Sequence, residues 1–105
     1  MKVPRKVFGS SREDLRDFPM DAKIDLGKQL WAVQNDREPK DWRPMPSVGQ
    51  GVRELRTQEA SGAYRVIYVA KIAEKVHVLH AFQKKTQQTA QKDIDLAKRR
   101  LREVS

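Results

Sequence analysis

The sequence has no cysteine and no long uncharged apolar run. Without cysteine, disulfides, thiolate metal sites and cysteine nucleophiles are all excluded. No apolar run approaches the ~20 residues that a membrane span needs. The stretch from Met1 to Gly9 is basic but lacks the apolar block of a signal peptide. We therefore expect a soluble, cytoplasmic protein with no membrane partner.

Positive charge is what the chain has in excess, with 22 Lys and Arg against 14 Asp and Glu and a formal net charge of +8. Such a balance favours polyanionic partners, because basic side chains release the counterions condensed on a nucleic acid. The same balance also fits a simple solubility role. With 105 residues, the chain is expected to form one domain, 1–105, around one core.

The first third of the chain predicts two helices. Ser10 and Glu13 have the spacing of a capping box, which indicates a short helix running through Phe18. Pro19 suits the first turn of a second helix, which then extends to about Asn35. A break this short predicts a helical hairpin or a kinked pair.

The middle of the chain predicts a loop followed by three strands. Three prolines between residues 36 and 50 favour irregular structure there. Strands are predicted at 51–56, 63–70 and 75–82, where β-branched and aromatic residues accumulate between turn signals. The second and third strands are apolar on both faces, as is typical of a sheet covered by helices.

The last segment, 90–104, predicts a helix with Ile94, Ala97 and Leu101 on one apolar stripe. A short strand around residues 6–8 would add an edge to the sheet. The predicted order is therefore two helices, a three-stranded meander and a final helix, which is the α+β class.

The strings GVRELR, AYRVIYVA, VHVLHAFQKKTQQT and DIDLAKRRL occur in this order, preceded by FGSSREDLRDFP and WRPMPSVGQ. Together they resemble the phage-derived Gp49-like, HigB-type branch of the RelE/ParE toxin superfamily, from about Val7 to Leu101. The resemblance implies a RelE-like fold: two N-terminal helices packed on a small antiparallel β-sheet, basic residues on the concave side of that sheet, and a C-terminal helix.

The resemblance also implies an activity. Toxins of this kind belong to type II toxin–antitoxin systems, enter the ribosomal A site and cleave messenger RNA there, without a metal or other cofactor. The partners expected from it are the ribosome, messenger RNA and a HigA-like helix-turn-helix antitoxin. Two alternatives stay open: a ParE-like, non-catalytic inhibitor of DNA gyrase, and a non-toxic phage-derived RNA-binding protein.

Metal-free cleavage requires attack by the substrate 2′-hydroxyl, stabilisation of the phosphorane charge and a proton for the departing 5′-oxygen. Arg65 matches an arginine that RelE uses on the scissile phosphate; otherwise it is an edge arginine in a surface ion pair. Lys84 and Lys85 end the third strand, and Lys85 stands at an arginine position of RelE. Glu54 and Arg56 are predicted to alternate onto one face of the first strand, opposite to Arg53 and Leu55. Glu54 replaces a RelE lysine, and acts either as general base or to orient Arg65 or Arg56.

His77 and His80 are three residues apart on a strand, so they are predicted to point to opposite faces and not to share a metal ion. His80 is either a packed core residue or a secondary candidate for the general acid. The tyrosine that RelE carries after its basic rim has no counterpart in the segment 86–91.

Several further side chains are candidates for RNA contact. Trp42 either stacks on a base or seals the core between helices and sheet, and the C-terminal helix is either an RNA contact or a solvated face. The candidates are Arg53, Arg56, Lys84, Trp42, Arg43 and Arg99.

Overall fold

The computed structural model describes residues 4–72 and 74–104. Five strands within these residues form one sheet of order β1-β5-β4-β3-β2, and three helices accompany them. The α+β class is confirmed. The elements are β1 (Arg5–Val7), α1 (Ser11–Asp17), α2 (Met20–Gln34), β2 (Trp42–Pro44), β3 (Val52–Glu59), β4 (Gly62–Ile72), β5 (Lys75–Lys84) and α3 (Gln91–Val104).

The sheet is mixed, so the expectation of a purely antiparallel sheet was wrong. β1 runs parallel to β5, with Arg5 opposite Val76 and Val7 opposite Val78. The other neighbouring strands are antiparallel. A parallel pair needs a long crossover between its strands, and most of the chain separates β1 from β5. The edge strand expected near residues 6–8 is therefore present, in the parallel sense.

The proline-rich segment contains a strand that the prolines had argued against. β2 pairs with β3, placing Trp42 opposite Leu55 and Pro44 opposite Arg53. Because β2 is an edge strand, one of its sides needs no ladder hydrogen bonds, and proline is tolerated there. This pairing brings a second basic side chain, Arg43, opposite Glu54.

Helices cover both faces of the sheet, as the apolar inner strands predicted. On one face, Leu26 and Leu30 of α2 pack with Leu55 of β3 in a buried core. On the other face, Ala97 of α3 packs with Ile67 of β4 in a second core. No helix in the described part of the chain is long and apolar enough to cross a membrane.

The start of α1 agrees with the predicted boundary, but its cap differs from the predicted capping box. Ser10 is the N-cap residue and makes no side-chain cap hydrogen bond. Instead, the neighbouring Ser11 is fully buried, and its hydroxyl accepts a 3.0 Å hydrogen bond from Arg100 of α3. Arg100 also donates to the backbone oxygen of Leu79, so one arginine ties α1, β5 and α3 together.

A β-bulge in β5 overturns the predicted separation of the two histidines. Ile67 pairs with His80 and Tyr68 pairs with Val78, so Leu79 is an extra residue in the strand. The extra residue shifts the alternation of side chains by one position. His77, opposite Val69, and His80 consequently both lie on the face that α3 covers.

Candidate functional site

A cluster of charged side chains lies on the α3 face of the sheet. Glu54 and Arg56 alternate onto this face of β3, while Leu55 between them enters the core beneath α2, as their spacing predicted. Arg65 of β4 lies directly across from Arg56, and Arg43 of β2 lies directly across from Glu54. We call Arg43, Arg56, Arg65 and Lys84, grouped around Glu54, the basic cluster.

Glu54 is the centre of this cluster and is fully buried. Its Oε1 accepts a 3.0 Å hydrogen bond from Nε of Arg43, and its Oε2 accepts a 2.9 Å bond from the hydroxyl of Thr89. Nε of Arg65 lies 3.6 Å from the same Oε1 atom. A buried carboxylate is tolerated only when it is paired and hydrogen-bonded, and both Glu54 oxygens meet this condition.

Arg65 is held in place from two directions. Its side chain is only 9% exposed, and Nη1 donates to the backbone oxygen of Tyr64 at 3.1 Å while Glu54 faces Nε. Burial lowers the pKa of Arg65, and nearby Arg56 and Arg43 act in the same direction, whereas Glu54 raises it. An arginine keeps its charge in proteins despite such shifts. Arg65 is thus a fixed, buried cation, and not an edge arginine in a surface ion pair.

Arg56 and Lys84 complete the cluster and are more accessible. The Arg56 side chain is 39% exposed, with Nε 3.9 Å from a carboxylate oxygen of Asp41. Lys84, at the end of β5, pairs with Ala63 and shares a face with Arg65. Burial, followed by repulsion from Arg65 and Arg43, lowers the pKa of Lys84. Four cations around one buried carboxylate leave an excess of positive charge, which suits an anionic ligand.

Lys85 and His80 lie outside the basic cluster. Together with Lys92 and Asp93 they line a separate cleft of about 610 Å³, on whose far side are residues of the α1–α2 junction. The Nε2 atom of His80 is 2.7 Å from Oδ1 of Asp93, and the His80 ring stacks on Phe82 at 4.8 Å. Of the two consecutive lysines at the strand end, only Lys85 lines this cleft, although both line a smaller pocket of about 110 Å³ beside it.

Three of the candidates for RNA contact also lie apart from the cluster. The Arg53 guanidinium stacks over the Trp42 ring at 3.9 Å and donates to Glu38 at 3.4 Å. Trp42 packs, half-buried, against the core beneath α2, which agrees with its role as a seal. Arg99 is exposed on α3.

Thr89 is the residue of this site that the sequence did not indicate. It is buried just ahead of α3, and its hydroxyl binds Glu54, a residue far away in the chain. The signal available in the sequence was Glu54 itself, because a carboxylate on a strand of a sheet covered by helices requires nearby hydrogen-bond donors. Which segment supplies them depends on the path of the loop between β5 and α3.

Solved structures of RelE toxins are similar to this fold over most of the chain. A mutant of the E. coli toxin RelE in the free state gives a TM-score of 0.58 at 16% identity, covering 90% of this chain and 97% of its own. The RelBE2 toxin–antitoxin complex of Mycobacterium tuberculosis gives a TM-score of 0.56 at 18% identity, and the match covers 80% of this chain and 93% of that one. The intact E. coli RelBE toxin–antitoxin complex gives a TM-score of 0.52 at 16% identity, and the match covers 80% of this chain and 99% of that one. The protein therefore has the RelE fold.

The family follows from the sequence itself. Residues 13–102 match the model of the family described as "Phage derived protein Gp49-like (DUF891)". The chain belongs to this family, so the Gp49-like resemblance of the sequence is confirmed. A comparison with curated proteins gives no match.

Proposed function

We propose that this protein is the toxin of a type II toxin–antitoxin pair and cleaves messenger RNA on the ribosome, in the cytoplasm and without a metal ion. The observation that supports this proposal best is the basic cluster, in which Arg65 is fixed beside a buried carboxylate and surrounded by further cations. The two RelBE structures with a similar fold are toxin–antitoxin complexes. A HigA-like helix-turn-helix antitoxin is the partner that we propose here.

Arg65 is the proposed ligand of the scissile phosphate. When the 2′-hydroxyl loses its proton to solvent water and its oxygen attacks phosphorus, negative charge builds up on the phosphorane oxygens. A guanidinium that is already held by Tyr64 and Glu54 needs no reorganisation as this charge forms. Arg56, which pairs with Arg65 from the neighbouring strand β3 and is more exposed, supplies a second positive charge that can reach the same phosphate.

Glu54 is proposed to position the arginines and not to act as general base. The carboxylate is fully buried, and its two oxygens already accept hydrogen bonds from Arg43 and Thr89. A general base must come within hydrogen-bond reach of the proton it removes. The geometry of Glu54 therefore favours the second of the two roles that the sequence left open, the orientation of Arg65.

Lys84 is the proposed proton donor to the departing 5′-oxygen. Its ammonium group releases a proton more readily than that of an ordinary lysine, because burial and the neighbouring arginines lower its pKa. His80 is bound to Asp93 in the other cleft, which argues against the same role for it. Lys85 is proposed to contact the RNA strand beyond the cleavage site.

The adjacent lysines provide a matched test. Each variant, Lys84→Ala and Lys85→Ala, removes one ammonium group at the end of β5, but only Lys84 faces Arg65. The protein and both variants would be induced without an antitoxin, and transcript 5′ ends would be mapped. Loss of a general acid costs roughly 100-fold or more in rate, so Lys84→Ala should nearly abolish cleavage within translated codons. Lys85→Ala should retain most of it.

The other outcomes separate the alternatives. Growth arrest with intact transcripts would reject the nuclease and support a gyrase inhibitor. Absence of any arrest would support a non-toxic RNA-binding protein. Equal loss of cleavage in both lysine variants would show that the basic cluster does not define the reaction site.

A further inference from the structure

One face of α2 carries large apolar side chains that are exposed. Met20 is 63% exposed, Ile24 48% and Trp31 45%. Spacings of four, three and four residues place Met20, Ile24, Gly27 and Trp31 in one line along the helix. We call these four residues the apolar stripe. It points away from the core, because the opposite side of α2 buries residues such as Leu26 and Leu30.

Single exposed apolar residues are ordinary on a protein surface, but a line of them on one helix is not. One apolar face is enough to attach α2 to the sheet. The second face therefore adds nothing to this packing. A contiguous apolar surface of this kind with a polar border marks an interaction site.

Gly27 gives the stripe its shape. A Cβ atom added at this position would meet nothing within 4 Å, so the helix surface is low between Ile24 and Trp31. Glycine inside a helix costs ~1 kcal/mol relative to alanine, and here no close contact within the chain requires it. A low point between two large apolar side chains lets the backbone of a second helix approach closely.

The border of the stripe is mainly positive. Lys28 and Lys23 flank it on the two sides of α2, Lys23 half-buried and donating to the backbone oxygen of Arg16 at 2.9 Å, and the Arg37 guanidinium lies over the Trp31 ring at 5.2 Å. Asp21 is the acidic residue that α2 exposes next to them, while the other aspartate of this helix, Asp25, is hydrogen-bonded to Lys40. The occupant that this border fits carries acidic residues beside its own apolar face.

A second copy of this chain fits less well. Two copies would bring the same lysines together, each on a chain of net charge +8. The stripe runs along one helix of 15 residues, about 22 Å long at 1.5 Å per residue. A stable protein–protein interface buries about 800 Å² on each partner, which is more than three exposed side chains supply. A single helix lying along α2 matches the size of the stripe.

We propose that the apolar stripe of α2 binds an amphipathic helix of a partner protein, one with acidic residues flanking its apolar face. Such a helix packs its apolar side chains around Gly27, while its carboxylates meet Lys23, Lys28 and Arg37. The site is independent of the basic cluster, since α2 and α3 cover opposite faces of the sheet. Binding there leaves Arg65 and Lys84 uncovered.

The probe for this test is a synthetic 18-residue helical peptide with leucines on one face and glutamates along both borders. A control peptide has lysines in place of the glutamates. The protein would be titrated with each peptide, and amide and indole NMR shifts and fluorescence anisotropy would be followed. We expect the acidic peptide to shift signals of α2, including the Trp31 indole, and to bind ~10-fold more tightly than the basic peptide.

Surface variants provide the controls. Ile24→Asp should weaken binding of the acidic peptide by ~10-fold or more, since it places a charge in the stripe. Lys28→Glu should weaken it by several-fold, whereas Lys98→Glu, an equal charge change at an exposed position of α3, should not. Gly27→Ala should raise the unfolding temperature, because alanine favours the helix, and yet weaken binding.

Three results would overturn the proposal. The first is a shift map centred away from α2, and the second is binding unaffected by Ile24→Asp or Gly27→Ala. The third is a concentration-dependent dimer of the protein alone that Ile24→Asp abolishes, which would assign the stripe to a second copy. None of these readouts depends on RNA cleavage, so they are separate from the test of the proposed function.

Discussion

The two faces of the sheet are built from the same strands and yet differ in chemistry. Beneath α2, alternate positions such as Leu55 and Val66 form an apolar core. Beneath α3, the intervening positions include Glu54, Arg65 and His80, all buried, among apolar neighbours. Both faces thus bury apolar side chains, and the α3 face buries charged side chains as well.

This difference indicates that the face beneath α2 stabilises the fold, whereas the face beneath α3 is suited to recognising a ligand. An apolar face needs side chains of suitable volume and little else. A buried charged or polar side chain needs a specific partner: Arg43 and Thr89 for Glu54, Asp93 for His80. Such an arrangement is expensive to build and holds cations in fixed positions, as anion recognition requires. The α3 face is therefore where we place the proposed chemistry.

The largest expected losses of stability concern two neighbouring residues of β3 that point to opposite faces of the sheet. Leu55→Ala should lower the free energy of unfolding by roughly 2–5 kcal/mol through a cavity beneath α2. Glu54→Ala should cost a similar amount, roughly 3–5 kcal/mol, because it leaves buried Arg65 without its counter-charge. Urea unfolding of both variants, with and without added phosphate, would measure these losses.

Added phosphate distinguishes destabilisation by a lost counter-charge from destabilisation by a cavity. An anion bound among the uncompensated arginines should restore part of the stability of Glu54→Ala, while Leu55→Ala should gain no more than the unmodified protein does. If phosphate affected both variants equally, the two faces would not differ in the way that the structure indicates.

The sequence predicted the element order and the two covered faces, because apolar periodicity reports burial directly. The predictions from the sequence were wrong where the pairing of strands outweighed a local sequence preference. Pro44 argued against a strand, but pairing with β3 makes one at the sheet edge. The bulge at Leu79 arises from the fit of β5 to β4, so the face of His80 could not be read from alternation.

The candidate site was predictable in part for the same reasons. Glu54 and Arg56 followed from strict alternation on β3, and the family resemblance pointed to Arg65. Lys84 belongs to the basic cluster because the register of β5 pairs it with Ala63, on the face of Arg65, while Lys85 follows the end of the strand. Arg43 belongs to the cluster because β2 pairs it with Glu54, while Arg53, next to Glu54 on β3, points to the opposite face. Thr89 depends on a loop path that no local pattern encodes.

A second comparison uses two arginines of equal exposure. The side chains of Arg43 and Arg53 are both 41% exposed, but Arg43 bonds to buried Glu54 and Arg53 to Glu38, which is 69% exposed. Arg43→Ala should cost about 1–2 kcal/mol, allowing for its partial exposure to solvent. Arg53→Ala should cost about 0.5–1 kcal/mol, mostly from its stacking on Trp42. Equal losses in chemical denaturation would contradict the special role of the Glu54 side.

The smallest effect belongs to a polar contact at the α2 side. Asp25 is partly buried, which raises its pKa, but hydrogen bonds from Lys40, Thr57 and Gln29 outweigh this and lower it overall. A carboxyl whose pKa is lowered on folding stabilises the protein above its unfolded pKa and loses this contribution as pH falls through the folded pKa. Asp25→Asn should therefore lower the unfolding temperature slightly at pH 7, and the difference should vanish well below pH ~4.

Lys40→Gln provides the control for this contact, because Lys40 is the hydrogen-bond partner that contributes most to lowering the Asp25 pKa. If the ion pair carries the effect, the double variant should lose less stability at pH 7 than the sum of the two single variants. The Lys40 ammonium is fully exposed, so added salt should reduce the coupling. The ion pair of Glu54 and Arg65, both buried, should respond far less to salt, since solvent ions screen it poorly. Thermal unfolding in low and high salt would therefore separate an exposed ion pair on the apolar side from the buried network on the other, and equal salt responses would remove the distinction between them.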